Sequence, residues 1–175
     1  RSTLFPYTTL FRSYLLDAER MTLSLRRWQG NTGYSLTGKA AMLASHGEGN
    51  APLECLKRFF AGWVRPNTLY NESGPVIETP FSAMCSLEEL YMQDWGDRIR
   101  VFHGCPSSWK DVSFRNMRAR GAFLVSAVRK GGNTSCVSVI SEKGGTCRIQ
   151  TGIPEMMLIV TGEDGNIPQW RALGG

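Results

Sequence analysis

Apolar residues recur at three- and four-residue spacing over the first half of this chain and alternate with polar ones over the second. Ser35 to Ser45 (SLTGKAAMLAS) puts Leu36, Ala40, Leu43 and Ala44 on one helical face, and Gly47 ends the run. A second helix is predicted from Ala51, with Pro52 in its first turn, where proline is tolerated. Leu53, Leu56, Phe59, Phe60 and Trp63 follow at helical spacing, and Pro66 stops it. Pro66 to Phe81 reads as a long irregular stretch holding Asn67, Asn71, Gly74, Pro75 and Pro80. A structureless loop of about 15 residues inside a compact domain is usually functional or disordered. A third helix is predicted from Ser82 to Trp95, with Met84, Leu87, Leu90, Tyr91 and Trp95 inward and Gly96 closing it.

From Arg98 the period becomes two. Arg98 to Phe102 alternates, and SSWKDVSF reads as a loop with a buried Trp109 leading into the next strand. Ala122 to Val128 (AFLVSAV) is a half-buried strand, and Lys130-Gly131-Gly132-Asn133 is a hairpin-type turn. Cys136 to Ile140 and Cys147 to Gln150 are strands separated by a Gly144-Gly145 turn, and Met156 to Thr161 is the last one. Short strands at this spacing suggest an antiparallel sandwich. The fold class expected is therefore α+β, with a boundary near Gly96: helices over 14–96 and a β-domain over 97–175.

Residues 1–13 stand apart from this pattern. Thr3 to Ser13 (TLFPYTTLFRS) is what a common short-read sequencing adapter gives when translated in frame, so the segment is set aside from fold reasoning. Arg1 and Arg12 go with it and no acids do, which takes the net charge from +5 to +3. The same observation predicts that the chain is the tail of a longer protein. The remaining arginines are scattered rather than blocked, which argues against nucleic-acid binding. No apolar run reaches the roughly 18 residues of a membrane span, so no membrane partner is expected. The five cysteines are an odd number without a CxxC pair and outline neither a disulfide framework nor a zinc site. Cys55 and Cys85 fall on predicted core faces, and a Cys136–Cys147 bridge across neighbouring strands is the pairing left open. His103 and Cys105 lack a third ligand nearby, so no metal is expected.

Glu78 is the leading candidate for chemistry. It lies among Val76, Ile77, Thr79, Pro80 and Phe81 just ahead of the third predicted helix. A carboxylate in an apolar, proline-stiffened loop can be positioned and its proton affinity raised, as an acid/base enzyme requires. The competing reading is an ordinary solvated loop residue. Glu72 sits among polar neighbours and reads as surface, as do Glu88 and Glu89 on the outer face of the third helix. Asn67 and Asn71 can offer amide hydrogen bonds to a sugar or a water, and Tyr70 can stack on a sugar face. Core packing is the better reading of Trp63 and Trp95. No serine or cysteine has a histidine partner for nucleophilic catalysis, and no phosphate-binding glycine loop is present. No cofactor is expected.

Three segments, in order, resemble the α-L-fucosidases of glycoside hydrolase family 95. Thr32 to Ser35 with Lys39 and Ala44 to Leu56 is similar to a helix pair linked by "LGDGD". Ile77 to Ser82, followed by Met84 to Gln93, is similar to the "QIDGNFG" loop and the helix ending "EMLLQS". Ile99 to Phe102, Pro106, Trp109 and Arg118 to Phe123 resemble "IHLLPALP…W…VKGLRARGGF". The likeness covers about residues 32–150. It implies the last helices of an (α/α)6 barrel followed by a β-sandwich domain, in an enzyme that hydrolyses O-glycosidic bonds of an oligosaccharide or glycan with inversion. It implies that Glu78 is the general base, that the general acid lies on earlier helices absent from this chain, and that the fragment alone is inactive. An extracellular or periplasmic location goes with the family. Glu78 replaces the family's aspartate, adding a methylene, and Thr79-Pro80 replaces Gly-Asn. A non-catalytic carbohydrate-binding or structural β-domain and an inactive homologue are the alternatives.

Overall fold

The computed structural model describes residues 17–18, 21–22, 32–67, 69–72 and 77–153. The 1–13 leader and the strand predicted at Met156 to Thr161 lie outside them. The described chain is α+β, with three packed helices, α1 (Gly33–Ser45), α2 (Asn50–Trp63) and α3 (Glu78–Tyr91), followed by six strands.

Helix α1 begins where Thr32 caps it, its Oγ1 accepting a hydrogen bond from the Ser35 amide at 3.3 Å. Leu36, Ala40, Leu43 and Ala44 are buried, as their spacing predicts, and Thr37 joins them. Leu56 and Phe59 of α2 are buried, whereas Leu53 and Trp63 are half-buried and Phe60 is 51% exposed. Cys55 is buried and Cys85 exposed, so only one of the two predicted core cysteines is in the core.

Helix α3 corrects the sequence reading at both ends and on its face. It starts at Glu78, four residues earlier than expected, and stops at Tyr91 rather than Trp95. Thr79 and Pro80 occupy its first turn, where amides have no intrahelical partner and proline removes nothing. It stops because Met92 turns extended (φ −150°, ψ 141°) to pair with the next strand. The buried face is Thr79, Ala83, Ser86 and Leu90, and Met84 is 58% exposed. Glu88 is exposed as expected, but Glu89 is half-buried.

Within the predicted Pro66–Phe81 loop, the described residues 66–67 and 69–72 form a turn, and 68 and 73–76 lie outside the described residues. The chain folds back after α2, Val64 bridging Tyr70, the Arg65 amide donating to Leu69 O at 2.9 Å and the Asn71 amide to Trp63 O at 2.8 Å.

The strands form two three-stranded sheets. In the first, β1 (Met92–Gln93) pairs antiparallel with β2 (Ile99–Val101), and β2 pairs parallel with β6 (Ile149–Gln150). This parallel pair departs from the purely antiparallel expectation. The second is an antiparallel meander of β3 (Val112–Ala119), β4 (Phe123–Lys130) and β5 (Asn133–Ser141). Gly131 and Gly132 (φ +56° and +86°) make the predicted two-residue turn between β4 and β5, a conformation that glycine adopts without cost. Cys136 and Cys147 are free thiols, so no bridge joins them.

Two hydrophobic clusters result, one among the helices and one between the sheets. They meet where α3 runs into β1. Gln93 Nε2 donates to Ala44 O (2.7 Å) and Glu89 O (3.1 Å), tying the end of α1 to β1. Asn50 Oδ1 accepts from the Ser107 amide and hydroxyl, both at 3.0 Å. Gly49 lies so close to the Cys105–Pro106 backbone that a Cβ there would stand 2.4 Å from Cys105 C. The helical and β halves are thus packed through the boundary expected near Gly96.

Candidate functional site

Glu78 is the first residue of α3, at the helix end where a negative charge is favourable. Its side chain is exposed and makes no hydrogen bond or ion pair with another described residue. Of the apolar neighbours expected to enclose it, Ile77 is 67% and Phe81 58% exposed, and Val76 lies outside the described residues. The described residues therefore position this carboxylate at a helix start without burying it.

Asn67, Tyr70 and Asn71 are gathered in the turn after α2. Asn67 Oδ1 accepts from the Leu69 amide at 3.3 Å, stabilising the turn. Tyr70 is half-buried, its ring 5.8 Å from that of Phe59 and folded over Gly33, and its hydroxyl is enclosed without a partner among the described residues. Asn71 is exposed. None of the three hydrogen-bonds Glu78.

The carboxylate whose proton affinity is raised is Glu89, which reads from sequence as solvated. Burial lifts its pKa, and the neighbouring Asp94 and Glu88 charges add to the rise, opposed by Arg100. Glu89 Oε2 is enclosed without a hydrogen-bond partner among the described residues. Asp94 accepts from the Arg120 amide at 2.8 Å and has Arg120 Nε at 3.7 Å. The Arg100 guanidinium lies 4.1 Å over the Trp95 ring and donates to Trp95 O at 2.8 Å. Glu78 and Glu89 share a face of α3, but eleven residues of helix rise separate them by about 16 Å.

A second feature lies on the β side of the same helix end. Tyr91 and Trp109 form a tilted aromatic pair, ring centroids 5.4 Å apart at 38°. With Ser108, Lys110, Asp111 and Val112 they line an open groove of about 420 Å3. Both rings are half-buried, and Ser108, Lys110 and Asp111 are exposed at the rim. The floor is aromatic, and the rim offers a hydroxyl, an ammonium and a carboxylate. The signal in the sequence was the SSWKD loop, where an aromatic is followed by two opposite charges. Among the described residues no group of three or more His, Cys, Asp or Glu is placed to hold a metal ion. No family model matches this chain, and no curated protein does.

Proposed function

We propose that this protein handles carbohydrate, binding a glycan along the Tyr91–Trp109 groove. A pyranose has an apolar C–H face and a hydroxyl edge. The groove offers a complementary surface, with two aromatic rings for the face and Ser108, Lys110 and Asp111 for the edge. The aromatic floor with its polar rim carries this reading. The test is calorimetric titration with a panel of neutral oligosaccharides, fucosylated ones included. Trp109→Ala should weaken binding about tenfold or more, the order expected when a small site gives up one of its two aromatic rings. A panel that gives no binding, or a Trp109→Ala variant that binds as well as the parent, removes the reading.

A second reading is the hydrolase that the family resemblance implies, with Glu78 as general base. What favours it is that Glu78 stands exposed at the start of α3 and free of protein partners among the described residues, open to a water and a substrate. Inverting hydrolysis needs a second carboxyl about 6.5–9.5 Å away, and Glu89 is too far along the helix to serve. The acid would come from elsewhere in the intact enzyme. There, Glu78→Gln should lower kcat by about 10²–10⁴-fold with the melting temperature nearly unchanged, lowered by no more than the small contribution of one charge at a helix start. Wild-type turnover in that variant would return Glu78 to the status of a surface residue.

A further inference from the structure

A polar cavity of about 240 Å3 opens between the end of β2 and the β4–β5 turn. His103, Arg129, Gly132, Asn133, Thr134 and Gln150 are among its lining residues, and no acidic side chain among the described residues lines it. Arg129 Nε is enclosed and has no hydrogen-bond partner among the described residues. The side chains of His103, Asn133, Thr134 and Gln150 likewise make no hydrogen bond with another described residue. The Lys110 ammonium, which belongs to the Tyr91–Trp109 groove, lies 3.6 Å from where a Cβ of Gly132 would be. The one described carboxylate beside the turn, Asp111, is engaged with the Gly131 amide at 3.0 Å. The Gly132 amide is also satisfied, by Lys110 O at 2.9 Å, so binding here falls to the side chains.

Arg129 lines this cavity and its guanidinium makes no hydrogen bond or ion pair with another described residue, an unusual arrangement because polar groups with little exposure are normally paired. Arginine only donates, and its planar fork matches the two oxygens of a carboxylate or phosphate. The surrounding amides, hydroxyl and imidazole can supply further donors. The volume equals about eight waters at roughly 30 Å3 each, enough for a small anion or one charged sugar ring and too little for an extended chain. Phe102, which leads into His103, is held at φ +54°, a conformation uncommon for an aromatic residue. Its amide is fixed to Tyr91 O at 2.8 Å and its carbonyl to the Cys105 amide at 3.2 Å. The His103 backbone is thereby set on the cavity wall.

We propose that this cavity is a binding site for a small oxyanion, carboxylate or phosphate, held by Arg129 with Asn133, Thr134 and Gln150 around it. The cavity shares no lining residue with the Tyr91–Trp109 groove and does not depend on the glycan reading.

The experiment is a titration of the full chain, followed by amide chemical shifts, with inorganic phosphate, glucuronate and glucose in separate arms. Phosphate, glucuronate or both should bind saturably and shift the amides of Gly132, Asn133, Thr134 and Gly152, and which of them binds identifies the source of the oxyanion. Arg129→Gln should weaken that binding by about tenfold or more, the worth of one charge-assisted hydrogen bond. Asn133→Asp, a change at an exposed rim position, should weaken it too by placing a carboxylate beside the anion, and it serves if Arg129→Gln does not fold. Failure of both oxyanions to bind, glucose binding as well as glucuronate, or unchanged affinity in a folded variant would overturn the proposal. Trp109→Ala should leave oxyanion binding intact, so the fate of the groove and of this cavity are read separately.

Discussion

Two glycine-to-alanine substitutions that look equivalent in sequence should move stability in opposite directions. At Gly49 an added Cβ would lie 2.4 Å from Cys105 C, 2.5 Å from its O and 2.5 Å from Pro106 N. Ordinary contact begins at 3.4 Å, so two backbone segments must separate by about 1 Å. Backbone cannot rotate away as a side chain can. Overpacking of this kind costs about 1–3 kcal/mol. The lost backbone freedom of the unfolded glycine returns about 0.4–1 kcal/mol, leaving a net loss of about 1–2 kcal/mol. At Gly38, inside α1, a Cβ meets nothing within 4 Å. There alanine should gain about 1 kcal/mol of helix propensity. For a chain of this size each kcal/mol moves Tm by about 2–4 °C. Gly49→Ala should therefore lower Tm by about 2–8 °C, and Gly38→Ala should raise it by about 2–4 °C, in calorimetric scans of the full chain. The mechanism also requires Asn50→Ala, which removes the acceptor for Ser107 across the same seam, to destabilise in the same direction as Gly49→Ala. Equal shifts of the same sign at Gly38 and Gly49 would show that the helices do not pack on the Cys105–Pro106 segment, and the account of how the two halves join would be wrong.

Glu89→Gln should stabilise the protein at neutral pH. The folded pKa of Glu89 is raised above its ordinary 4.5, so the stability this group contributes is fully present below that value and is lost as pH rises through the folded pKa. The gain from Gln should therefore be seen in Tm at pH 8 and vanish by pH 4, and a constant offset across that range would refute burial as the cause. Thiol alkylation should proceed first at the exposed Cys85 and Cys136 and last at Cys55, which is buried and whose pKa burial pushes up. Mass-spectrometric mapping of labelled sites over time checks the order, and early labelling of Cys55 in the native protein would contradict the helical core. Phe59→Ala, at a side chain 1% exposed, should cost about 3–5 kcal/mol, against less than about 1 kcal/mol for the neighbouring Phe60→Ala at 51% exposure. Denaturant titration separates the two, and equal costs would mean the register of α2 is wrong.

The elements that read correctly from sequence are those where local chemistry and tertiary packing agree. Leu36, Ala40, Leu43 and Ala44 repeat at helical spacing and are all buried. Gly131-Gly132 supplies the two positive φ values that a tight antiparallel turn requires. Helix α3 was legible as an element and only in part as a face. Leu90 is buried and Leu87 packs half-buried against the helical core, as apolarity predicts, but Met84 is exposed and the side chains turned inward include Thr79, Ala83 and Ser86. Ser86 Oγ lies 2.7 Å from Thr37 O and 2.6 Å from Ser82 O, so its hydroxyl is satisfied while buried. Small residues let α1 and α3 approach closely, and hydrophobic periodicity does not see them. The parallel β2–β6 pair was hidden for another reason. Ile99 and Ile149 lie fifty residues apart, and although both segments read as strands, nothing in strands this short specifies which partner they take or in which direction.

The same distinction explains why the candidate chemistry moved. Sequence neighbours suggested that Val76, Ile77 and Phe81 would desolvate Glu78, but adjacency in sequence is not enclosure, and Ile77 and Phe81 face outward. Enclosure came instead to Glu89, at the end of the helix where β2 pairs back on β1 and sets the charges of Asp94 and Arg100 near it. The same helix end also holds Tyr91 beside Trp109, residues that no local motif links. The place where α3 gives way to strand thus collects both the perturbed carboxylate and the aromatic groove. Glu78, at the far end of the same helix, lies apart from both. A hydrolase centred on Glu78 and a glycan groove at Tyr91–Trp109 are therefore separable by mutation. If Trp109→Ala abolishes glycan binding while Glu78→Gln leaves it untouched, the groove binds sugar on its own, and any catalytic role of Glu78 must be sought with a carboxylate other than Glu89.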